Sequence, residues 1–231
     1  DVLDVEGLAH MGAAGAQSAV TGSLATDDRG IFPQRSAYVR TDMLSDDADA
    51  VPAPRQDPNL VNAWGIAFAP NNPLWVNDNG SGLSTLYAWN DATKMVDVLP
   101  LVVTVPLPSP LAPPDTSTPT GLVFNDTLAS PQPQFDGDLF IFAAEDGTIS
   151  GWQPEVPPPS PDIEPGVLRV DNPQAPDAGP VYKGLALAVT KRGPELFASN
   201  FHDGRVDVFD GSYAPVDLGP NAFTDPNLPK G

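Results

Sequence analysis

The sequence predicts an all-β fold made of repeated antiparallel strands. Three observations support this prediction: short apolar runs bounded by Gly, Asp and Asn, too much Pro and Gly for long helices, and a motif that recurs at fixed offsets. The chain has 231 residues, of which 41% are hydrophobic, 29 are proline and 20 are glycine. A chain of this size and composition can bury a core, and its strands must be short.

The same repeat occurs three times. Each repeat opens with a glycine that three apolar residues follow, at Gly65, Gly121 and Gly184. A leucine then begins a second strand, with a glycine eight residues beyond it and an aromatic residue thirteen residues beyond it. These positions are Leu74, Gly82 and Tyr87 in the first repeat, Leu139, Gly147 and Trp152 in the second, and Leu196, Gly204 and Phe209 in the third.

The offsets predict an opening strand, a second strand, a glycine-containing turn, a third strand and a fourth. Spacings of 56 and 63 residues between opening glycines fit a β-propeller blade of four antiparallel strands enlarged by insertions. Asp146-Gly147 and Asp203-Gly204 are typical of tight turns with positive φ, and we expect Gly80 and Gly82 to serve the same role. The recurring aromatic ring is expected to pack between neighbouring blades. Strands are predicted over residues 64–68, 101–105, 139–143, 167–170 and 205–209.

The repeats divide the chain into an arm and a partial propeller, 37–231. Residues 1–36 lack a sustained period of 2 or 3.6 and are predicted to form an extended acidic arm. An alternating segment at 37–44 is predicted to be the strand that completes the last blade and locks the ring. The blades are predicted at residues 57–112, 113–172 and 173–224, with the start of a further blade at 225–231.

Two proline-rich segments interrupt the repeats. Residues 106–119 contain six prolines, and residues 154–165 contain another six. Such segments favour polyproline II and cannot form central strands. They could bind SH3-type domains, but surface linkers between strand groups are far commoner, and we expect linkers here.

The charge of the chain excludes several classes of partner. The 11 Lys and Arg against 30 Asp and Glu give a formal net charge of -19, which repels nucleic acids and anionic membrane surfaces. The absence of cysteine excludes disulfides and thiol chemistry. No apolar run approaches the length of a membrane span. We therefore expect neither nucleic-acid binding nor membrane insertion.

Five motifs accompany the predicted strands: DPNLVNAWG at 57–65, WVNDNGSGLSTLY at 75–87, AEDGTISGW at 144–152, VYKGLA at 181–186 and FTDPNLP at 223–229. As a set they resemble a family of secreted or cell-envelope β-propeller proteins of uncharacterised function, related in architecture to NHL-type propellers. The resemblance implies a six-bladed propeller and a secreted or cell-envelope location, and it implies no activity. The acidic arm, the proline-rich insertions and an early end depart from the family pattern.

The chain is predicted to be half of a closed ring. The sequence DPNL stands before the first blade at 57–60 and recurs at 225–228, where a fourth blade should begin. Three blades cannot close a ring, because both terminal faces would stay apolar and exposed. The remaining blades are expected from a cleaved C-terminal portion, from a continuation of the chain or from a second copy. The resemblance to six-bladed relatives favours the first two sources.

The loops between second and third strands form the candidate ligand face, because they lie on the side of a propeller that usually carries the ligand. All three loops are acidic. Counted from the leucine of each repeat, Glu145 corresponds to His202 and Asp146 to Asp203. The candidates are Asn77, Asp78, Asn79, Glu145, Asp146, Asn200, His202 and Asp203.

Carboxylate oxygens are ligands that Ca²⁺ prefers, so the four acidic residues of this face, Asp78, Glu145, Asp146 and Asp203, are the candidate metal ligands. Calcium-dependent lactonases of the propeller class use similar residue types. The spacing argues against a shared ion, because equivalent groups on adjacent blades should stand about 10 Å or more apart, whereas Ca²⁺ ligands lie at about 2.4 Å.

Two functions remain, and the first is favoured. One is a non-catalytic extracellular binding or assembly module that contacts other extracellular proteins or glycans. The alternative is a divalent-metal-dependent hydrolase of the gluconolactonase type that acts at the propeller channel. No catalytic residue is assigned, because no Gly-x-Ser-x-Gly elbow accompanies His202 and no Walker or dinucleotide pattern is present. Asn79 and Asn125 begin formal N-glycosylation triplets.

Overall fold

A computed structural model describes residues 40–109, 111–113, 115–129, 134–154, 163–175, 177–219 and 222–223. Within these ranges the chain is all-β, as predicted, with fourteen strands, two short 3-10 helices (Asp126–Ala129 and Phe135–Gly137) and no α-helix. No helix in this part of the chain is long and apolar enough to cross a membrane. The predicted arm at 1–36 and the predicted start of a further blade at 225–231 lie outside the described residues.

The chain divides into two compact units. The smaller unit comprises Asp1–Asp57 and Trp89–Val96, and its described part holds β1 (Leu44–Ser45) and β2 (Arg55–Gln56), which pair in parallel. The locking strand predicted at 37–44 differs from this pair. Residues 40–43 form no strand, residues 37–39 lie outside the described ranges, and the observed strand begins at Leu44.

The other strands form three largely antiparallel sheets. The first contains β3 (Ala63–Phe68), β4 (Leu74–Asp78), β5 (Leu83–Asn90), β6 (Met95–Thr104) and β10 (Ile163–Pro165), in the order β10-β6-β5-β4-β3. The second contains β7 (Pro119–Phe124), β8 (Phe140–Ala144), β9 (Ile149–Trp152) and β11 (Val167–Val170), in the order β11-β9-β8-β7. The third contains β12 (Tyr182–Thr190), β13 (Gly193–Asn200) and β14 (Arg205–Asp210), in that order.

Each strand predicted within the repeats overlaps an observed one, and the described prolines of the two proline-rich segments lie outside strands, at a strand start or in an edge strand. Pro119 is the first residue of β7. The second proline-rich segment ends in β10, which pairs in parallel with β6 at the edge of the first sheet. Proline cannot donate a ladder hydrogen bond, which favours such positions. Pro100 departs from this preference, because it lies inside β6, between β10 and β5.

The positive φ predicted for the glycines in the three turns between second and third strands is confirmed at three of the four positions. Gly82, Gly147 and Gly204 have φ values of 73°, 81° and 65°, which favour glycine over residues that carry a Cβ. Gly80 does not share this conformation. A Cβ at Gly80 would instead lie 2.6 Å from Cγ1 of Val61, so a close approach accounts for this glycine.

The second repeat is shorter than its offsets suggest. Its second strand begins at Phe140, one residue after the predicted Leu139, and Phe140 pairs with Trp152. The equivalent pairs in the first and third repeats are Leu74 with Tyr87 and Leu196 with Phe209. In this register the residue directly after the second strand is Asn79 in the first repeat, Glu145 in the second and Phe201 in the third. Glu145 therefore corresponds to Asn79 and Phe201, and the predicted correspondence with His202 is wrong.

The opening glycine of each repeat lies at a bulge in the first strand of its sheet. The pairing of the first two strands shifts between Ala63 and Ile66, between Pro119 and Leu122, and between Tyr182 and Leu185. A Cβ at Gly65 would overlap the carbonyl oxygen of Thr120, and a Cβ at Gly121 would lie 2.7 Å from the carbonyl carbon of Gly184. The missing side chains let the first strands of successive sheets approach each other closely.

Two hydrophobic cores lie between successive sheets. The core between the first and second sheets contains the fully buried Phe140 and Phe142, and Trp75 stacks on Phe140 with ring centroids 4.2 Å apart. The core between the second and third sheets contains Ile141, Ile149 and Leu196, each fully buried. Trp152 belongs to the first core and Phe209 to the second, which confirms for these two repeated aromatic rings that they pack between sheets. The third ring, Tyr87, is buried but belongs to neither core.

We predict that Gly121→Ala lowers the free energy of unfolding by about 2 kcal/mol, because the new methyl group collides with backbone that cannot move independently. The matched control is Gly184→Ala, where the nearest atom to a Cβ is Oγ of Ser199 at 3.2 Å. Its effect should stay within about 0.5 kcal/mol in dilute protein. Denaturant unfolding of both variants measures the difference, and equal losses would contradict the close approach of β7 and β12.

Candidate functional site

The bulges in the first strands bring together two side chains that lie far apart in sequence. Trp64, Thr120 and Lys183 directly precede the three opening glycines. Bulges re-aim side chains and are frequent beside functional sites. The Nζ atom of Lys183 lies 4.9 Å from the centroid of the Trp64 ring, within the range of a cation–π contact.

Three further side chains complete a polar network around this pair. Asn62 donates from Nδ2 to Oδ1 of Asn79 at 3.0 Å, and Asn79 donates from Nδ2 to Oε2 of Glu145 at 3.0 Å. Glu145 in turn forms an ion pair with Lys183. We call these five residues, Asn62, Trp64, Asn79, Glu145 and Lys183, the Trp64 junction. Trp64 lies in β3, Asn62 just before it, and Lys183 in β12. Asn79 follows β4 and Glu145 follows β8, so each lies in the turn between the second and third strands of its sheet.

The Trp64 junction combines a buried polar base with an exposed aromatic ring. Asn79 is 7% exposed, whereas Trp64 is 45% exposed. Side chains of Lys183 and Glu145 are 32% and 25% exposed and neutralise each other. The sequence predicted Asn79 and Glu145 as ligand-face residues. Equivalent groups on adjacent blades were expected to stand about 10 Å or more apart, but these two side chains are hydrogen-bonded to each other. Their side chains meet because glutamate is long and the two turns are equivalent in register.

Asn200, His202 and Asp203 lie at the corresponding turn of the third sheet. Asn200 is buried and donates from Nδ2 to Asp203 at 3.0 Å and to Asp207 at 2.8 Å. Arg205 bridges the same two carboxylates at 3.0 and 2.6 Å. His202 is exposed at the turn. Arg205 offsets part of the charge of the two carboxylates, and the hydrogen bonds of Asn200 fix the turn.

The remaining candidates, Asn77, Asp78 and Asp146, support the sheets. Asn77 donates from Nδ2 to the carbonyl oxygen of Gly121 at 2.9 Å, which joins the first and second sheets. Asp78 accepts a hydrogen bond from Oγ1 of Thr85 at 2.7 Å. Asp146 accepts from Ser117 and from Thr148, both at 2.7 Å. Each carboxylate thus receives a donor from its own surroundings.

The four candidate metal ligands are not gathered in one place. In the described part of the chain, no three His, Asp or Glu side chains stand close enough together to hold a metal ion. Glu145 faces Lys183, and Asp203 faces Asn200 and Arg205. These four carboxylates therefore do not come together as one ligand set for Ca²⁺, which takes six to eight oxygen ligands.

Both predicted glycosylation acceptors have buried side chains. Asn125 is fully buried and donates from Nδ2 to the carbonyl oxygens of Gln134 and Asp138. Asn79 belongs to the Trp64 junction and is 7% exposed. Both amide groups are thus used in hydrogen bonds inside the fold.

Sequence reasoning missed Asn62, Trp64 and Lys183. Trp64 and Lys183 carry a signal, because both directly precede a repeated glycine and so occupy equivalent positions. The contact between Trp64 and Lys183 does not follow from their equivalent positions, because it depends on the direction in which each bulge turns its side chain.

No family model matches the chain. An uncharacterised protein of Acanthamoeba polyphaga mimivirus, R648, is 27% identical over 166 residues, which is 70% of this chain and 36% of that protein. The chain thus spans about a third of the length of the curated relative that it matches. The relative's name states no activity.

We predict that Tyr182 ionises only far above its ordinary pKa. Its burial raises the pKa, and the nearby Asp207 carboxylate, 3.3 Å from the hydroxyl, raises it further. Because the pKa is raised in the folded state, the associated stability is complete below about pH 10 and declines above it. Ultraviolet titration of the tyrosines should show that Asp207→Asn makes one of them ionise at lower pH. An unchanged titration curve would contradict the contact.

Proposed function

We propose that this chain supplies three blades of a six-bladed β-propeller and acts as a non-catalytic extracellular binding or assembly module. Three sheets of matching topology, joined by two cores and by equivalent bulged first strands, support the propeller architecture. The motifs that resemble NHL-type propellers of the cell envelope support the secreted or cell-envelope location. The match of the chain to about a third of a longer relative is compatible with a partial ring.

The Trp64 junction carries the proposal of ligand binding. Its exposed indole contacts the ammonium group of Lys183, which is linked through Glu145 to Asn79. Binding sites typically combine an apolar surface with a few oriented polar groups. The polar groups are already hydrogen-bonded to one another, so little side-chain entropy is lost when a ligand binds. Tryptophan is also among the residues that contribute most to binding surfaces.

The charge of the chain limits the class of ligand. A net charge of -19 repels polyanions, and the Glu145–Lys183 pair leaves the junction itself nearly neutral. We therefore propose an uncharged glycan, whose sugar rings present an apolar face to the indole and hydroxyl groups to Asn79, Glu145 and Lys183. A protein partner would use the same exposed ring and is the second class to test.

The metal-dependent hydrolase has no specific observation in its favour. Its chemistry needs a cluster of oxygen ligands around a divalent ion, and the described residues place their acidic side chains against cations, hydroxyls and amides instead. We assign no catalytic step to this chain.

The test is a screen of neutral glycans, followed by titration calorimetry with the best binder. We expect Trp64→Ala to weaken binding by about tenfold or more, since a buried aromatic contact contributes on the order of 1.4 kcal/mol or more. Trp89→Ala is the matched control, because Trp89 is 38% exposed and lies at the end of β5 that is remote from the turn containing Asn79. Its affinity should match that of the unchanged protein. Equal affinities for all three proteins, or a screen without binders, would contradict glycan binding at the junction.

A further inference from the structure

Glu145 holds an amine and an amide on the two oxygens of its carboxylate. Its Oε1 atom pairs with Nζ of Lys183, and its Oε2 atom accepts a hydrogen bond from Nδ2 of Asn79 at 3.0 Å. A lysine amine is a nucleophile, a side-chain amide can lose ammonia when it is attacked, and a carboxylate can carry a proton from one nitrogen to the other. The Trp64 junction therefore contains the three groups that a condensation between side chains needs.

The amide of Asn79 is held in place with its carbonyl group polarised. Its side chain is buried, and Oδ1 accepts a hydrogen bond from Nδ2 of Asn62 at 3.0 Å. The backbone of the two residues is also joined, because the N–H of Asn79 donates to the carbonyl oxygen of Asn62 at 3.2 Å. A donor at this place stabilises the negative charge that develops on a carbonyl oxygen during nucleophilic attack. The centroid of the Trp64 ring lies 4.9 Å from Nζ of Lys183, so the ring covers one side of the amine.

The corresponding turn of the third sheet has a similar arrangement without a nucleophile. Asn200 donates from Nδ2 to Asp203 at 3.0 Å, and Asp203 pairs with Arg205 at 3.0 Å. A guanidinium group keeps its proton in proteins and does not attack a carbonyl group. The amine of Lys183 therefore distinguishes the Trp64 junction from this turn, which serves as an internal control.

We propose that Lys183 and Asn79 condense inside the folded chain to form an amide bond with loss of ammonia. Glu145 first accepts one proton from the ammonium group of Lys183, and the neutral Nζ attacks Cγ of Asn79. Glu145 then gives this proton to Nδ2, the bond between Cγ and Nδ2 breaks, and ammonia leaves. The ammonia takes up the second proton that Nζ loses, so ammonium is released and Glu145 is a carboxylate again.

The new bond joins the first sheet directly to the third, since Asn79 follows β4 and Lys183 lies in β12. It closes a long loop of the chain, and a cross-link of this kind restricts the unfolded state. The reaction occurs once in each chain and uses no external substrate, so the chain remains a non-catalytic module. One carboxylate stays at the junction and repels anionic ligands, as the whole chain does, so the junction still suits an uncharged glycan.

The mass of the intact chain tests the reaction. We expect the purified folded protein to be lighter than its sequence mass by about 17 Da, the mass of one ammonia. Trypsin does not cleave after an acylated lysine. In a tryptic digest we therefore expect residues 56–94, which contain Asn79, to be linked to residues 170–191, which contain an uncleaved Lys183.

Three variants test the roles of the side chains. Lys183→Met lacks the amine and should keep its full sequence mass. Glu145→Gln keeps the length of the side chain but cannot carry the proton, so it should slow the reaction by about a hundredfold or more. Asp203→Asn is the matched control, since Asp203 lies in the corresponding turn of the third sheet, and it should lose about 17 Da like the unchanged protein. Thermal unfolding checks that each variant folds.

An unchanged mass of the folded protein would overturn the proposal. A loss of about 18 Da with residues 95–169 linked to residues 170–191 would also overturn it, because this is the condensation of Lys183 with Glu145. Loss of ammonia with Lys183 still open to trypsin, as in a cyclic imide of Asn79 with Gly80, would be a third contradiction. These readouts involve no ligand, so they are independent of glycan binding at Trp64.

Discussion

The structure depends on the close approach of successive first strands, which requires glycine at Gly65 and Gly121. At both positions a Cβ would occupy the space of the next strand's backbone. The approach sets the distance between sheets and therefore the depth of the cores on either side of the second sheet. It also sets the bulges that direct Trp64 and Lys183 toward each other. One steric constraint thus determines both the packing of the sheets and the geometry of the candidate site.

Polar contacts reinforce the junction of the second and third sheets where the apolar packing ends. The buried carboxylate of Asp138 accepts two hydrogen bonds from Arg169, at 2.8 and 2.6 Å, and one from the hydroxyl of Tyr213 at 2.6 Å. A buried charge is costly unless it is paired and hydrogen-bonded, and this carboxylate meets both conditions. The contact joins the fourth strand of the second sheet to the chain that follows β14. It adds directional contacts to a core that is otherwise largely apolar.

The sequence contained most of the strand pattern and part of the site. Offsets between Leu, Gly and aromatic residues located the strands, because turn glycines and buried rings have strict positional requirements. The offsets failed at Leu139, since a turn shorter by one residue shifts the register without removing the motif. Asn79 and Glu145 were found because turn residues are visible in sequence. Their contact with each other and with Lys183 was not predictable, because it depends on side-chain length and on the direction imposed by the bulges.

A double-mutant cycle on Trp75 and Phe140 measures whether the first sheet packs on the second. Their rings belong to different sheets and stack with centroids 4.2 Å apart. Unfolding free energies of Trp75→Leu, Phe140→Leu and the double variant should give a coupling of about 0.5 to 1.5 kcal/mol. A coupling indistinguishable from zero, with both single variants still folded, would contradict the packing of these two sheets on each other.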